Sequence, residues 1–159
     1  MSYYLHRIQI SKDSVQKGIE VHDTLDAALL SYWGRVKTGY GKSEYYFVSC
    51  KITDDNGNVV KEMAWLDNGE LPENKFFLHH IRKDGDDTDK AIDVLDSVDT
   101  AKGNFAEQME YGYNNSKHPD VSYVSCMITD LLSGGLVLMK ETWAKPSLEP
   151  TPEPETTEE

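Results

Sequence analysis

The sequence predicts an α+β protein built as a tandem duplication of a β-β-α-β-β unit, and three observations lead to this prediction. Residues 48–54 read Val-Ser-Cys-Lys-Ile-Thr-Asp, and residues 124–130 repeat this stretch with six of seven positions identical. Residues 4–8 (Tyr-Leu-His-Arg-Ile) are matched by residues 77–81 (Phe-Leu-His-His-Ile), 73 positions later. Apolar residues alternate along these stretches, as they do in strands with one buried face, and a segment with helical spacing lies between them.

The distance between matching residues grows along the chain only where loops are expected. It is 73 residues from the first strand to the end of the helix, 76 at the Val-Ser-Cys stretch and 78 at the pair Trp65 and Trp143. Insertions confined to loops are typical of two copies of one fold. We therefore expect two repeats, 1–66 and 76–145, joined by a linker at 67–75.

The first strand is predicted at residues 3–10, with one apolar face formed by alternate residues. That face comprises Tyr4, His6, Ile8 and Ile10. A second strand at 17–22 leads into a helix that begins at Asp23-Thr24 and runs to about Thr38, since a residue with a short polar side chain caps a helix start well. The predicted apolar stripe of this helix comprises Leu25, Ala28, Leu29, Tyr32, Trp33 and Val36.

The remaining strands of the first repeat are predicted at 44–53 and 58–65, separated by an Asn-Gly hairpin turn at residues 56–57. The second repeat follows the same order of elements. Its strands are expected at 76–82, 90–95, 121–129 and 136–143, and its helix at 97–111.

The last 14 residues, 146–159, differ in composition from the rest of the chain. They contain four prolines, five glutamates and no basic residue, so a large part of the net charge of −12 lies there. A segment with so little to bury is expected to be disordered. The acidic balance of the whole chain argues against direct nucleic-acid binding and against an anionic membrane surface, because both need clustered Lys and Arg.

A repeat of about 70 residues is marginally stable alone, so the two copies are expected to pack together as a pseudo-twofold dimer. The third strand of each repeat has an outer face too apolar to be solvated, which either the other copy or a partner must cover. The residues proposed for this interface are Tyr45, Phe47, Val121, Tyr123 and Met127.

The two cysteines and the two repeated histidines are the residues best able to take part in catalysis or ligand binding. Cys50 and Cys126 share their strand faces with apolar residues, which favours simple burial, although a redox pair or a nucleophile remains open. His6 and His79 lie on the apolar faces of the first strands. We expect these histidines to be hydrogen-bonded in the core or at the interface of the repeats; in the alternative of a small-molecule site between the repeats, the four side chains would line its pocket. Their spacing is unlike that of zinc modules, so we expect no metal and no cofactor.

Two parts of the pattern resemble a known group of proteins. They are residues 17–28 (Lys-Gly-Ile-Glu-Val-His-Asp-Thr-Leu-Asp-Ala-Ala) and the repeated Val-Ser-Cys-x-Ile-Thr-Asp stretch. Together they resemble uncharacterised small α+β repeat proteins of bacterial phages and prophage regions. The resemblance implies no catalytic residues, and it favours a virion-associated or host-interaction role.

Three functional hypotheses follow, and the leading one is a non-enzymatic protein-binding module of phage or mobile-element type. It would act through a protein partner or through self-association. An acidic inhibitor of a host defence nuclease, acting as a nucleic-acid mimic, is the second hypothesis. The third is a small-molecule binder or enzyme with its site between the repeats. No signal peptide and no membrane-spanning run is visible, so a bacterial cytoplasm or a virion is the expected location.

Overall fold

In this computed structural model, which describes residues 1–40, 42, 44–67 and 73–146, the chain forms two antiparallel sheets that each carry one helix. The elements of the first repeat are β1 (Tyr3–Ser11), β2 (Val15–His22), α1 (Leu25–Gly39), β3 (Tyr45–Thr53) and β4 (Val59–Leu66). Those of the second repeat are β5 (Phe76–Asp84), β6 (Asp87–Leu95), α2 (Val98–Tyr113), β7 (Val121–Asp130) and β8 (Val137–Ala144).

The two sheets have the same topology, with strand orders β2-β1-β3-β4 and β6-β5-β7-β8. The first and third strands of each repeat are therefore central, and the second and fourth are edges. This confirms the predicted α+β duplication of a β-β-α-β-β unit. The second strands begin earlier than predicted, at residues 15 and 87, because each pairs in a tight hairpin with the strand before it.

Both helices begin in the same way. The Thr24 hydroxyl accepts a hydrogen bond from the Ala27 N–H at 3.1 Å, and the Ser97 hydroxyl accepts one from the Thr100 N–H at the same distance. At the far end, a Cβ on Gly112 would lie 2.6 Å from the Trp143 ring. The glycine near the end of α2 is thus also required by packing against β8.

Each sheet packs its helix on one face. In the first repeat Leu5, Cys50 and Ile52 contact Ala28 and Tyr32 of α1. The second repeat places the corresponding side chains against α2, and its larger cluster comprises Leu78, Ala101, Phe105, Met109, Val121, Val124, Cys126 and Ile128. These two clusters are separate from each other.

The other faces of the two sheets pack against each other, and we call the space between them the inter-sheet layer. Its main apolar cluster comprises Tyr4, Ile8, Ile10, Ile19, Phe47, Phe77, Ile81, Ile92, Tyr123 and Leu131. The Phe47 and Phe77 rings stack at 5.8 Å, and their counterparts Tyr123 and Tyr4 stack at 6.0 Å. The exchange of equivalent residues between the two pairs is the signature of a pseudo-twofold relation. The layers run helix, sheet, sheet, helix.

The hairpin turn after the third strand of each repeat contacts the other repeat. Gly57 has φ of +79° and Gly135 has φ of +87°, a backbone region that favours glycine. A Cβ on Gly57 would lie 2.2 Å from the Thr142 hydroxyl of the second repeat, and one on Gly135 would lie 3.3 Å from the Ser49 hydroxyl of the first. Each turn therefore reaches onto the opposite sheet, and glycine is needed there for both conformation and space.

The connections between these elements fall only partly within the described residues. Residues 68–72 of the predicted linker lie outside them, as do residues 147–159 of the predicted acidic tail. On the described side of the linker, Lys75 accepts the Leu131 N–H through its carbonyl at 2.9 Å. This bond ties the start of β5 to the end of β7.

Candidate functional site

A pair of histidines lies at the centre of the inter-sheet layer. His6 comes from β1 and His79 from the equivalent position of β5, and both are buried. Their Nδ1 atoms are 3.0 Å apart, within hydrogen-bonding distance. The alternation of apolar residues predicted that each histidine lies on the apolar face of its own strand. The packing of the two sheets brings the two side chains into contact.

The outer nitrogens of this pair are also bound. His6 Nε2 lies 2.9 Å from the Thr53 hydroxyl, and His79 Nε2 lies 2.9 Å from the Thr129 hydroxyl. One proton occupies the Nδ1–Nδ1 contact, so one ring donates there and the other accepts. The two rings must then be opposite tautomers, and one threonine donates to its histidine while the other accepts. All four ring nitrogens are satisfied.

Burial keeps both imidazoles neutral. It lowers the pKa of His6 to about 3, with the Lys51 ammonium as the second cause. The pKa of His79 also lies well below its ordinary value, first through burial and then through the adjacent His6. Among the described residues no group of three or more His, Cys, Asp or Glu side chains is placed to hold a metal ion.

The cysteines do not join the histidines, which corrects the predicted pocket of His6, His79, Cys50 and Cys126. Both thiols face the helices, on the opposite side of each sheet from the inter-sheet layer. In the pairing of β1 with β3, Cys50 lies opposite Arg7 and Lys51 lies opposite His6. Cys50 and His6 therefore point to opposite faces of the sheet. Burial raises the pKa of the Cys50 thiol to about 11 and that of Cys126 to about 12, so neither is a ready nucleophile.

The five predicted interface residues divide into two groups. Phe47 and Tyr123 are buried between the sheets, and Met127 is also buried. Val121 instead packs in the α2 cluster, and Tyr45 is only half-buried. A register shift near the start of each third strand separates these last two residues from the regular ladder. The faces are covered by the other repeat, so they present no surface of this kind to a separate partner.

One charged pair breaks the symmetry of the inter-sheet layer. Lys51 is only 3% exposed, and its ammonium lies 3.2 Å from a carboxylate oxygen of Glu62, which is 52% exposed. The equivalent positions in the second repeat are Met127 and Lys140. The pair lines a groove of about 260 Å³ between the repeats, together with residues 63–64 and 133–136. That volume is below the usual range for small-molecule sites.

A larger cleft, of about 450 Å³, lies within the second repeat alone. Its polar lining includes Asp84, Asp87, Lys117, His118 and Asp120. Arg82 forms ion pairs with Asp84 at 3.0 Å and with Asp89 at 3.3 Å, so one of the acidic residues that line the cleft is already paired.

The outer face of α1 is a surface that the sequence pattern did not predict. Leu30 is 78% exposed and Trp33 is 53% exposed, although Trp33 was assigned to the buried stripe. The Lys61 ammonium of β4 lies 5.1 Å from the centre of a Trp33 ring. Gly34 and Lys37 are exposed on the same side of the helix. We call Leu30, Trp33, Gly34 and Lys37 the α1 outer face.

A second exposed apolar group lies at the end of the second repeat, around β8. It comprises Leu132, Leu136, Leu138 and Met139. These side chains are aliphatic and lie on and beside an edge strand, whereas the α1 outer face contains a tryptophan on a continuous helix. Tryptophan is enriched among the residues that dominate protein–protein binding energy, so the α1 outer face is the stronger candidate.

Comparisons with protein-family models, with curated proteins and with solved structures find no match for this chain. Neither described helix is long and apolar enough to cross a membrane.

The Lys51–Glu62 pair gives a first prediction. Glu62→Gln leaves a buried ammonium without its carboxylate, and we expect the free energy of unfolding to fall by about 1–3 kcal/mol. Lys51→Met copies the second repeat and is expected to be neutral or stabilising. Lys140→Gln, at the position equivalent to Glu62, is the matched control and is expected to change stability by less than about 0.5 kcal/mol. Urea unfolding measures all three, and an equal loss in Lys51→Met and Glu62→Gln would contradict the account.

The neutral histidine pair gives a second prediction. The folded pKa of His6 is about 3, below its unfolded value, so its stabilising contribution is complete above about pH 6.5 and declines as the pH falls toward 3. We expect a loss of about 1.4 kcal/mol per pH unit from His6 in this window. The variant His6→Gln with His79→Gln should show a shallower decline in urea unfolding between pH 6.5 and 4.5. Equal slopes for the two proteins would show that the histidines do not titrate with unfolding.

Proposed function

We propose that this protein is a non-enzymatic protein-binding module that binds its partner through the α1 outer face. The single observation that supports this most is the exposure of Trp33 and Leu30 on a helix whose other face is well packed. Exposing two large apolar side chains side by side has no benefit for the fold of the described chain. It is typical of a surface that is covered by another protein.

The comparison between repeats supports the same proposal. The positions equivalent to Leu30 and Trp33 in α2 are Gly103 and Ala106. The buried positions of the two helices, in contrast, keep apolar residues of similar size, such as Tyr32 and Phe105. The large apolar residues are thus specific to the outer face of α1, where the fold does not require them.

The surroundings of Trp33 indicate the chemistry of the partner surface. Lys61 lies over the ring, and Lys37 follows one turn later on the same side of the helix. Both are cations in a chain with a net charge of −12. A partner surface with a shallow apolar or small-residue centre and acidic neighbours would complement this patch.

The other two hypotheses receive less support from the described residues. The inter-repeat histidines are sealed, neutral and fully hydrogen-bonded, and both thiols have raised pKa values. For a nucleic-acid mimic, carboxylates must be free to meet basic side chains. Glu20 is instead bound by Arg7 and Arg35, and Asp96 by Lys75.

The resemblance of the sequence to small proteins of phages and prophage regions favours a contact in a bacterial host cell or on a virion. In that setting the module would connect two proteins or cover a surface of one. Neither role needs a cofactor or a metal ion.

A capture experiment tests the proposal. Wild-type protein, the double variant Leu30→Ser/Trp33→Ser and the matched control Leu136→Ser/Leu138→Ser are immobilised at equal density. The control removes two leucines that are 61% and 44% exposed on the other apolar group. Lysate from a bacterial host that lacks this chain is passed over each, and retained proteins are quantified by mass spectrometry.

We expect proteins retained by the wild type to be retained by the control and to be reduced at least tenfold on the α1 variant. Circular dichroism melts verify that all three proteins are folded. The same proteins retained on all three surfaces would contradict the α1 site, and a loss confined to the control would move the binding site to β8.

A further inference from the structure

The α1 outer face has a counterpart of opposite character on the same molecule. The equivalent positions on α2 are Gly103, Ala106, Glu107 and Glu110, and all four are exposed. We call these four residues the α2 outer face. Where α1 has Leu30 and Trp33, α2 has two residues with almost no side chain. Where α1 has Gly34 and Lys37, α2 has two glutamates.

The glycines in these two faces are not required by the fold of the described chain. A Cβ built on Gly34 or on Gly103 would meet no atom within 4 Å. Each glycine lies inside a helix, where glycine is less stable than alanine. At Gly112, in contrast, a Cβ would collide with Trp143. Glycine on an exposed helix face allows the backbone of a neighbouring element to approach closely.

The acidic half of the α2 outer face is also concave. An open cleft of about 400 Å³ lies beside it, lined by Glu107, Gln108, Glu110, Tyr111, Lys117 and His118. A lysine stem that entered this cleft on the side of the helix would bring its ammonium near the two carboxylates. A residue one turn beyond a packed tryptophan would be in position to enter it.

From these observations we propose that copies of this chain associate head to tail, with the α1 outer face of one copy packed on the α2 outer face of the next. This inference rests on the proposed function, since it uses the same α1 site and adds a second copy of the chain to the partners that the site can bind. With the two helices parallel, Trp33 and Leu30 lie over Gly103 and Ala106. Lys37 then lies beside Glu107 and Glu110.

The position of the two helices determines the kind of assembly. The helices lie on the two outer sides of the sheet pair, because α1 packs only on the first sheet and α2 only on the second. One copy can therefore use both faces at once. A contact between two different faces does not pair two copies as a twofold contact does, and it adds one copy after another into a ring or an open row. A single helix pair forms a small interface, so the association is expected to be weak and dependent on concentration.

A charge exchange tests the proposal with the full chain. Sedimentation velocity is recorded at roughly 10 to 1,000 μM, a range suited to weak contacts. We expect the average mass of the wild type to rise with concentration. Trp33→Ser and Lys37→Glu should each remain monomeric, and so should Glu107→Lys/Glu110→Lys, because like charges then face each other. An equimolar mixture of the last two variants should associate again, because each one restores the opposite charge to the other.

The possible outcomes distinguish the head-to-tail contact from the more general proposal of a protein-binding module. A wild type that stays monomeric over the whole range overturns the head-to-tail contact, while the capture of other proteins through Trp33 still tests the binding module independently. Association that is unaffected by Trp33→Ser, or a mixture of charge variants that stays monomeric, also overturns it. Leu136→Ser/Leu138→Ser, which changes neither face, should associate as the wild type does.

Discussion

The packing of one sheet face against the other is the interaction on which the rest of this structure depends. Each repeat covers one face of its sheet with its own helix and leaves the other face apolar. Within the described residues, the other repeat covers that face, through stacked aromatic pairs and through turns that reach onto the opposite sheet. At the centre, His6 and His79 bind each other and a threonine each, so all four ring nitrogens have a hydrogen-bond partner. Two marginal units become one stable protein in this way.

Much of this fold is present in the sequence pattern. The order of elements, the duplication and the shared faces of the first strands follow from period and repetition alone. The placement of the cysteines was wrong because periodicity defines the faces of one strand but not how two strands align. His6 is paired with Lys51 and Arg7 with Cys50. The even-numbered residues of β1 therefore share a face of the sheet with the odd-numbered residues of β3. A helix and a strand separate these two segments in the chain, and no turn fixes their register.

The candidate site was less predictable than the fold. Trp33 follows the helical period that predicts burial, and it is exposed because Ala28 and Tyr32 already fill the contact with the sheet, while Leu30 lies outside the predicted stripe. A signal was nevertheless present in the sequence. Aligning the two helices residue by residue shows buried positions that agree in size and outer positions that differ sharply, as at Leu30 and Gly103. In a duplicated protein, such a difference between copies indicates a role that the common fold does not explain. The equivalent positions Lys51 and Met127, which also differ between the repeats, are a second example within the inter-sheet layer.

The central claim is that the inter-sheet layer makes the two repeats one cooperative unit. Native-state hydrogen exchange on the intact chain tests it most directly, because it measures the opening free energy of each strand separately. The account predicts that the most protected amides of β1 and β3 and those of β5 and β7 share one opening free energy, equal to that of global unfolding. A core of one repeat that opens at a distinctly lower free energy, while the other remains protected, would contradict it.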